Sequence, residues 1–267
     1  MSDFDDDIRL EPAGERAWTG LVTARWNIGA NPNGGYLLAL AFTGLQHALP
    51  AYPDPLSISV HYLKPGLPDR PCRVEVEVLS TGRTLGTARA TLLQDGTPRL
   101  AVLASLGDLA TDDEPALTVV PPAMPAPRDC TPRSPAEQGL AMPILDRVEV
   151  RLHPDQVRAA GAGRAQVSGW IRFRDDREPD TLASLLFADA FPPAVFGLVS
   201  AVGWVPTVAL TVQVRRRPAP GWILGRFDTV DMLGGRLLED GMLWDAQGRL
   251  VVQSRQLALL RTPGGPR

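Results

Sequence analysis

Asp189 is where chemistry is easiest to place. In the stretch Asp180 to Pro193, DTLASLLFADAFPP, residues Leu182, Leu185, Leu186 and Asp189 fall at i, i+3, i+4 and i+7. A helix here therefore points a carboxylate along the same stripe as three leucines. Asp180 suits the N-cap and Pro192-Pro193 stop the helix. A carboxylate on an apolar stripe is costly unless paired or hydrogen-bonded, which makes it a general-base candidate. A structural acid at a frayed helix end, reaching water or backbone, fits the same pattern. The second candidate is Asn31-Pro32-Asn33-Gly34-Gly35, turn chemistry that leads straight into YLLALAFTGLQHAL, Tyr36 to Leu49. Glycines at a helix start leave first-turn N–H groups open to an anion or a polarised carbonyl oxygen. Tight packing explains Gly34 and Gly35 equally well.

Other chemistries lack their residues. His47, His61 and His153 lie in unrelated segments and no serine stands in a G-x-S-x-G elbow, which argues against a Ser/His/Asp hydrolase. Cys72 shares the parity of Val74 and Val76 and reads as a small buried hydrophobe, while Cys130 sits in a proline-rich segment. Both are expected as reduced thiols, with neither a disulfide framework nor a metal site, and no cofactor is called for. Glu239-Asp240-Gly241 reads as a solvated turn. Lys plus Arg number 27 against 30 Asp plus Glu, a net charge of -3, and Arg215, Arg216 and Arg217 form only a local basic cluster. Nucleic acid and anionic membrane are therefore not expected partners. The start, MSDFDDDIRL, is acidic, lacks the features of a signal peptide and reads as flexible, and no apolar run is long enough to span a bilayer. The expected location is the cytoplasm.

The elements that must carry these residues come in two similar sets. With 267 residues, 44% of them hydrophobic, the chain suits one large domain or two fused small ones. Tyr36 to Leu49 is apolar nearly all round, the mark of a buried helix. Leu56–Leu63, Cys72–Leu79, Thr84–Gln94 and Arg99–Leu106 then read as strands, separated by turn signals such as Asp95-Gly96. Eight prolines between Thr111 and Pro143 mark a linker. Beyond it the order repeats: strands at Asp146–Leu152 and Gln166–Arg174, the Asp180 helix, then strands at Thr207–Arg215, Trp222–Val230, Arg236–Trp244 and Leu250–Leu260. At a constant offset of 150 residues LGTARATLLQDG, from Leu85, faces GRLLEDGMLWDA, from Gly235. The reading is an α+β chain of two units, 1–110 and 144–267, joined by 111–143, each a long apolar helix wrapped by a curved antiparallel sheet.

Taken in order, these segments resemble the type II acyl-CoA thioesterase family, the double hot-dog enzymes. The resemblance rests on Asn33-Gly34-Gly35, SISVHYLKPG from Ser57 and LSTGRTLGTARATLLQDGTPRLAVLASLG from Leu79, then LLFADAFPP, the Thr207-to-Arg216 strand and QSRQLALLR from Gln253. It implies hydrolysis of acyl-CoA thioesters by a water held jointly by Asp189, Thr207 and Gln256, with Thr211 and Gln253 as alternates. Gln256 is preferred for its spacing to Arg261. It also implies assembly into a homodimer or larger oligomer, and the expected oxyanion donor is a backbone N–H at the Gly34-Gly35 helix start, contributed across the pseudo-twofold. At the 150-residue offset Gln256 faces Leu106, and the first helix has no acid from Gly34 to Leu49, so one of the two pseudo-equivalent sites is expected to act. The alternatives are a non-catalytic acyl-CoA or acyl-carrier binder and a same-fold enoyl-CoA hydratase. The hydratase needs an Asp and a His after the Asn31-Pro32 turn, and no His follows there.

Overall fold

The computed structural model describes the chain apart from residues 1, 111–112, 138, 158–159, 161, 200–204 and 261–267, so Arg261 lies outside the described residues. The first half supplies α1 (Asp3–Asp7), β1 (Glu11–Pro12), β2 (Ala17–Val22), a small hairpin of β3 (Asn27–Ile28) and β4 (Asn31–Pro32), α2 (Gly34–Ala48), β5 (Asp54–Tyr62), β6 (Arg70–Thr81), β7 (Gly86–Gln94) and β8 (Thr97–Gly107). The second half supplies β9 (Thr131–Pro132), β10 (Val148–Leu152), β11 (Gln166–Phe173), α3 (Thr181–Phe187), β12 (Thr207–Val214), β13 (Ile223–Leu233), β14 (Arg236–Trp244) and β15 (Leu250–Leu259).

The two expected sheets are one. Thirteen strands form a single antiparallel sheet in the order β1-β2-β6-β7-β8-β5-β12-β15-β14-β13-β11-β10-β9. β5 and β12 are the free edges of their own meanders, and an unpaired edge is a template for another strand. They pair with each other from Ala209 opposite His61 to Gln213 opposite Ser57. Read outward from that seam, β5, β8, β7, β6 and β2 match β12, β15, β14, β13 and β11, so the sequence repeat reappears as a pseudo-twofold about the seam.

The helices differ between the halves. α2 is buried from Gly35 to Leu45, and Asn33 caps it by accepting the Tyr36 N–H at 2.9 Å. Close approach to the sheet requires Gly44, where a Cβ would stand 2.6 Å from Val74 Cγ1. The second helix, expected to run to the prolines, is only seven residues long and ends at Phe187. Its cap is as expected, Asp180 accepting the Ala183 N–H at 2.7 Å. At the other end tertiary bonds replace helical ones: the Asp189 N–H turns back to Leu186 O in a tight i to i−3 turn, and its carbonyl is taken by the Asn33 side chain at 2.8 Å.

One further expectation is corrected. The acidic start is ordered as α1, because Phe4 is buried at 0% exposure against Trp26 and Phe173. The acids flanking Phe4 reach basic groups of both halves, Asp3 pairing with Arg25 and Arg147 and Asp5 with Arg177. The proline-rich segment is not a free linker throughout: Trp244 Nε1 donates to Val119 O and Trp170 Nε1 to Pro125 O, each at 2.8 Å, and β9 pairs with β10. Prolines end regular structure but keep their carbonyls, and that of Pro125 here accepts from an indole. Cys72 and Cys130 are both buried free thiols. Burial pushes the Cys72 thiol up to about 12.

Candidate active site

The expected residues meet at the wall of one cavity, about 390 Å³, lined by Asn33, Gly34, Tyr62, Asp189, Thr207, Glu239 and Gln256. α3 delivers Asp189 two residues past its end, and α2 meets it head-on. Asp189 Oδ2 accepts the Gly35 N–H at 3.0 Å and the Asn33 Nδ2–H at 3.1 Å, while Oδ1 faces Thr207 Oγ1 at 3.4 Å. The two helix ends come this close because residue 35 is glycine. A Cβ there would stand 2.8 Å from the carbonyl oxygens of both Leu185 and Leu186. Burial pushes the Asp189 carboxyl up to about 6, against hydrogen bonds from Gly35, Thr207, Gly34 and Asn33 that favour the charged form. A carboxyl poised there is mostly ionised at neutral pH yet basic enough to take a proton from water.

Thr207 and Gln256 come from neighbouring strands at the seam. Even-numbered Leu210, Val212 and Val214 face inward on β12, and a bulge between Thr207 and Ala209 shifts the parity so that Thr207 joins them. Thr207 Oγ1 stands 3.0 Å from Gln256 Oε1, and its one hydroxyl hydrogen serves either that oxygen or Asp189 Oδ1. Of the alternates, Thr211 is exposed and Gln253 is absent from the cavity wall, its position sharing the outward parity of exposed Arg255.

Glu239 was expected in a solvated turn and is instead a wall of the site. It lies within β14, on the inward parity of Leu237 and Leu243, and is 5% exposed. Asp240-Gly241 is mid-strand, whereas the same dipeptide at Asp95-Gly96 is the turn between β7 and β8, with φ of 49° and 69°. Glu239 Oε1 accepts the Gln256 Nε2–H at 3.1 Å, and Oε2 accepts the Ala194 N–H at 2.7 Å and the Thr229 hydroxyl at 3.2 Å. An ionised carboxylate only accepts, so it turns the Gln256 amide with its nitrogen toward Glu239 and its oxygen toward Thr207. Burial pushes Glu239 up to about 7, with the Asp189 charge adding to the rise.

Gly34 and Gly35, expected as oxyanion donors, are committed elsewhere. Gly35 N–H is on Asp189, and Gly34 N–H likewise favours the charged carboxylate. Asn33 and Tyr62, read only as parts of longer motifs, line the cavity. Asn33 caps α2 with one end of its amide and holds Asp189 with the other. Among the described residues no three His, Cys, Asp or Glu side chains are grouped as metal ligands, and no helix is long and apolar enough to cross a membrane.

The acyl-CoA thioesterase N-terminal domain model matches residues 22–107 and the acyl-CoA thioesterase C-terminal domain model matches residues 127–260. The chain belongs to this acyl-CoA thioesterase family. It is similar to an uncharacterized protein of Mycobacterium tuberculosis, 30% identical over 92% of this chain and 91% of the relative. Among solved structures it is similar to a protein from Thermobifida fusca provisionally named a thioesterase II, with 31% identity, a TM-score of 0.87 and 98% of each chain covered. A hot-dog-fold protein of unknown function from Alicyclobacillus acidocaldarius shares the fold at a TM-score of 0.87 and 23% identity, over 98% of this chain and 99% of that one.

Proposed function

We propose that the chain hydrolyses acyl-CoA thioesters to free acid and CoA, through a water held by Asp189, Thr207 and Gln256. The observation that supports this reading is the convergence of a raised-pKa carboxyl, a hydroxyl and an orientated amide on one cavity wall, delivered by three different elements. The water donates one hydrogen to Asp189 Oδ1, and the Thr207 and Gln256 side chains fix its direction. As its oxygen bonds to the thioester carbon, Asp189 takes the proton and the carbonyl electron pair moves to oxygen. When the pair returns, the C–S bond breaks and Asp189 gives the proton to the leaving sulfur. Gln256 is held for this task by Glu239, and Asp189 by Asn33 and the first turn of α2. The hydratase reading lacks its histidine: the residues lining the cavity include none.

Release of CoA from a panel of acyl-CoAs, followed with a thiol reagent, tests the activity. Asp189→Asn keeps the shape and removes the base, so turnover should fall about 100-fold or more while substrate still binds. Thr207→Ala and Gln256→Ala should each cost less. The double variant should lose less than the product of the two if both hold one water. Binding of acyl-CoA with no turnover at any chain length would favour a carrier or binder. Unchanged turnover in Asp189→Asn, with an altered melting temperature, would make Asp189 a structural acid.

A further inference from the structure

The thioesterase reading leaves one requirement open: a donor for the carbonyl oxygen as it gains charge. The Gly34 and Gly35 amides that a helix start would offer are turned to Asp189. Asn33 Nδ2 has both its hydrogens on Asp189, one on the backbone carbonyl and one on Oδ2.

Tyr62 closes β5 on the inward parity of Ile58 and Val60 and lines the cavity. Its hydroxyl oxygen is buried and has no hydrogen-bond partner among the described residues. Buried polar atoms are seldom left so, and one facing a cavity is a group that a ligand completes. Its position is set against Asp189 by Gly34: a Cβ there would stand 2.8 Å from Asp189 Oδ2 and 3.0 Å from Tyr62 Oη, so both oxygens converge on one point beside the α2 start.

We propose that Tyr62 Oη–H is the oxyanion donor, hydrogen-bonding the thioester carbonyl oxygen of the acyl-CoA substrate while Asp189 activates water against the carbonyl carbon. The phenol donates without being consumed: the proton that moves is the water's, carried by Asp189 to the leaving sulfur, and Tyr62 keeps its own. Burial and the nearby Asp189 charge both hold the phenol well above its ordinary ionisation range, so it remains a donor wherever Asp189 is ionised. The donor is then preorganised at the wall, away from bulk water, where such a bond acts most strongly on developing charge.

Tyr62→Phe is the test, since it removes one oxygen that no protein group uses. It should lower kcat about 100-fold or more with KM nearly unchanged and no fall in melting temperature. 3-Fluorotyrosine placed at position 62 keeps the hydroxyl and should retain the rate to within about threefold. A trifluoromethyl ketone analogue of acyl-CoA, whose hydrate copies the tetrahedral intermediate, should bind Tyr62→Phe far more weakly than wild type. A thioether analogue, which has no carbonyl, should bind both alike. The inference rests on the thioesterase reading, and the two fail differently. Wild-type protein inert toward every acyl-CoA overturns both, whereas an active wild type matched by Tyr62→Phe in kcat overturns the donor alone.

Discussion

Two buried carboxyls with raised pKa values, Asp189 and Glu239, stand at the two ends of the Thr207–Gln256 link, and this sets how rate and stability respond to pH. Asp189 must be ionised to act as base, so kcat/KM should climb as pH rises through about 6. Glu239 ionises near 7. When protonated it can donate as well as accept, which lets the Gln256 amide turn over and lose its orientation toward Thr207. Activity should therefore rise in two steps, and Glu239→Gln should remove the upper step while keeping the lower. A single-step profile unchanged in the variant would show that Glu239 does not position Gln256. Stability runs the other way. Both folded-state values lie above the ordinary 3.8 and 4.5, so the stability these groups contribute is complete below about 4 and is lost as pH rises through about 6 and 7. Melting temperature should fall across that window, and Asp189→Asn should flatten the lower part of the slope.

At the level of elements, the junction of α2 with the turn after α3 separates packing from chemistry in two adjacent glycines. Gly35→Ala drives a Cβ into two carbonyl oxygens of α3, backbone that cannot swing aside, and should cost about 1–3 kcal/mol of stability. Gly34→Ala instead meets the Asp189 carboxylate and the Tyr62 ring, and should suppress turnover with the smaller loss of melting temperature. Thermal unfolding alongside the CoA-release assay distinguishes the pair. The same elements show what sequence periodicity can carry. Asp189 was legible because a carboxylate broke a leucine stripe, and Gln256 because its neighbours kept a recognisable order. Glu239 was hidden behind a dipeptide that elsewhere in this chain does form a turn, although the parity of Leu237 and Leu243 already placed it inward. The length of α3 was not legible, since its end is decided by Asn33 and Gly35, more than 150 residues distant in the chain. Nor could periodicity show that the meanders share β5 and β12: each edge pattern is complete by itself, and only tertiary pairing joins them.

Over the whole molecule, the proposed division at 111–143 becomes narrower than composition suggests. Val119 and Pro125 are tied to tryptophans of the second half, whereas residues 113–118 are exposed, Leu117 at 93%. A broad-specificity protease should cut there first and leave two fragments that still migrate together, because the β5–β12 seam and the α1 contacts do not pass through the cut. Early cleavage within β5 to β8 would contradict this. The ends of the sheet have a different bearing. β1 and β9, its outermost strands, are two residues long and each contains a proline, Pro12 and Pro132, which has no N–H to offer a neighbour. Such ends offer little backbone for a further strand to pair with. Copies of the chain then meet more readily through sheet faces and loops than by pairing strand to strand. Association at high concentration should accordingly give no fibrils that bind an amyloid dye.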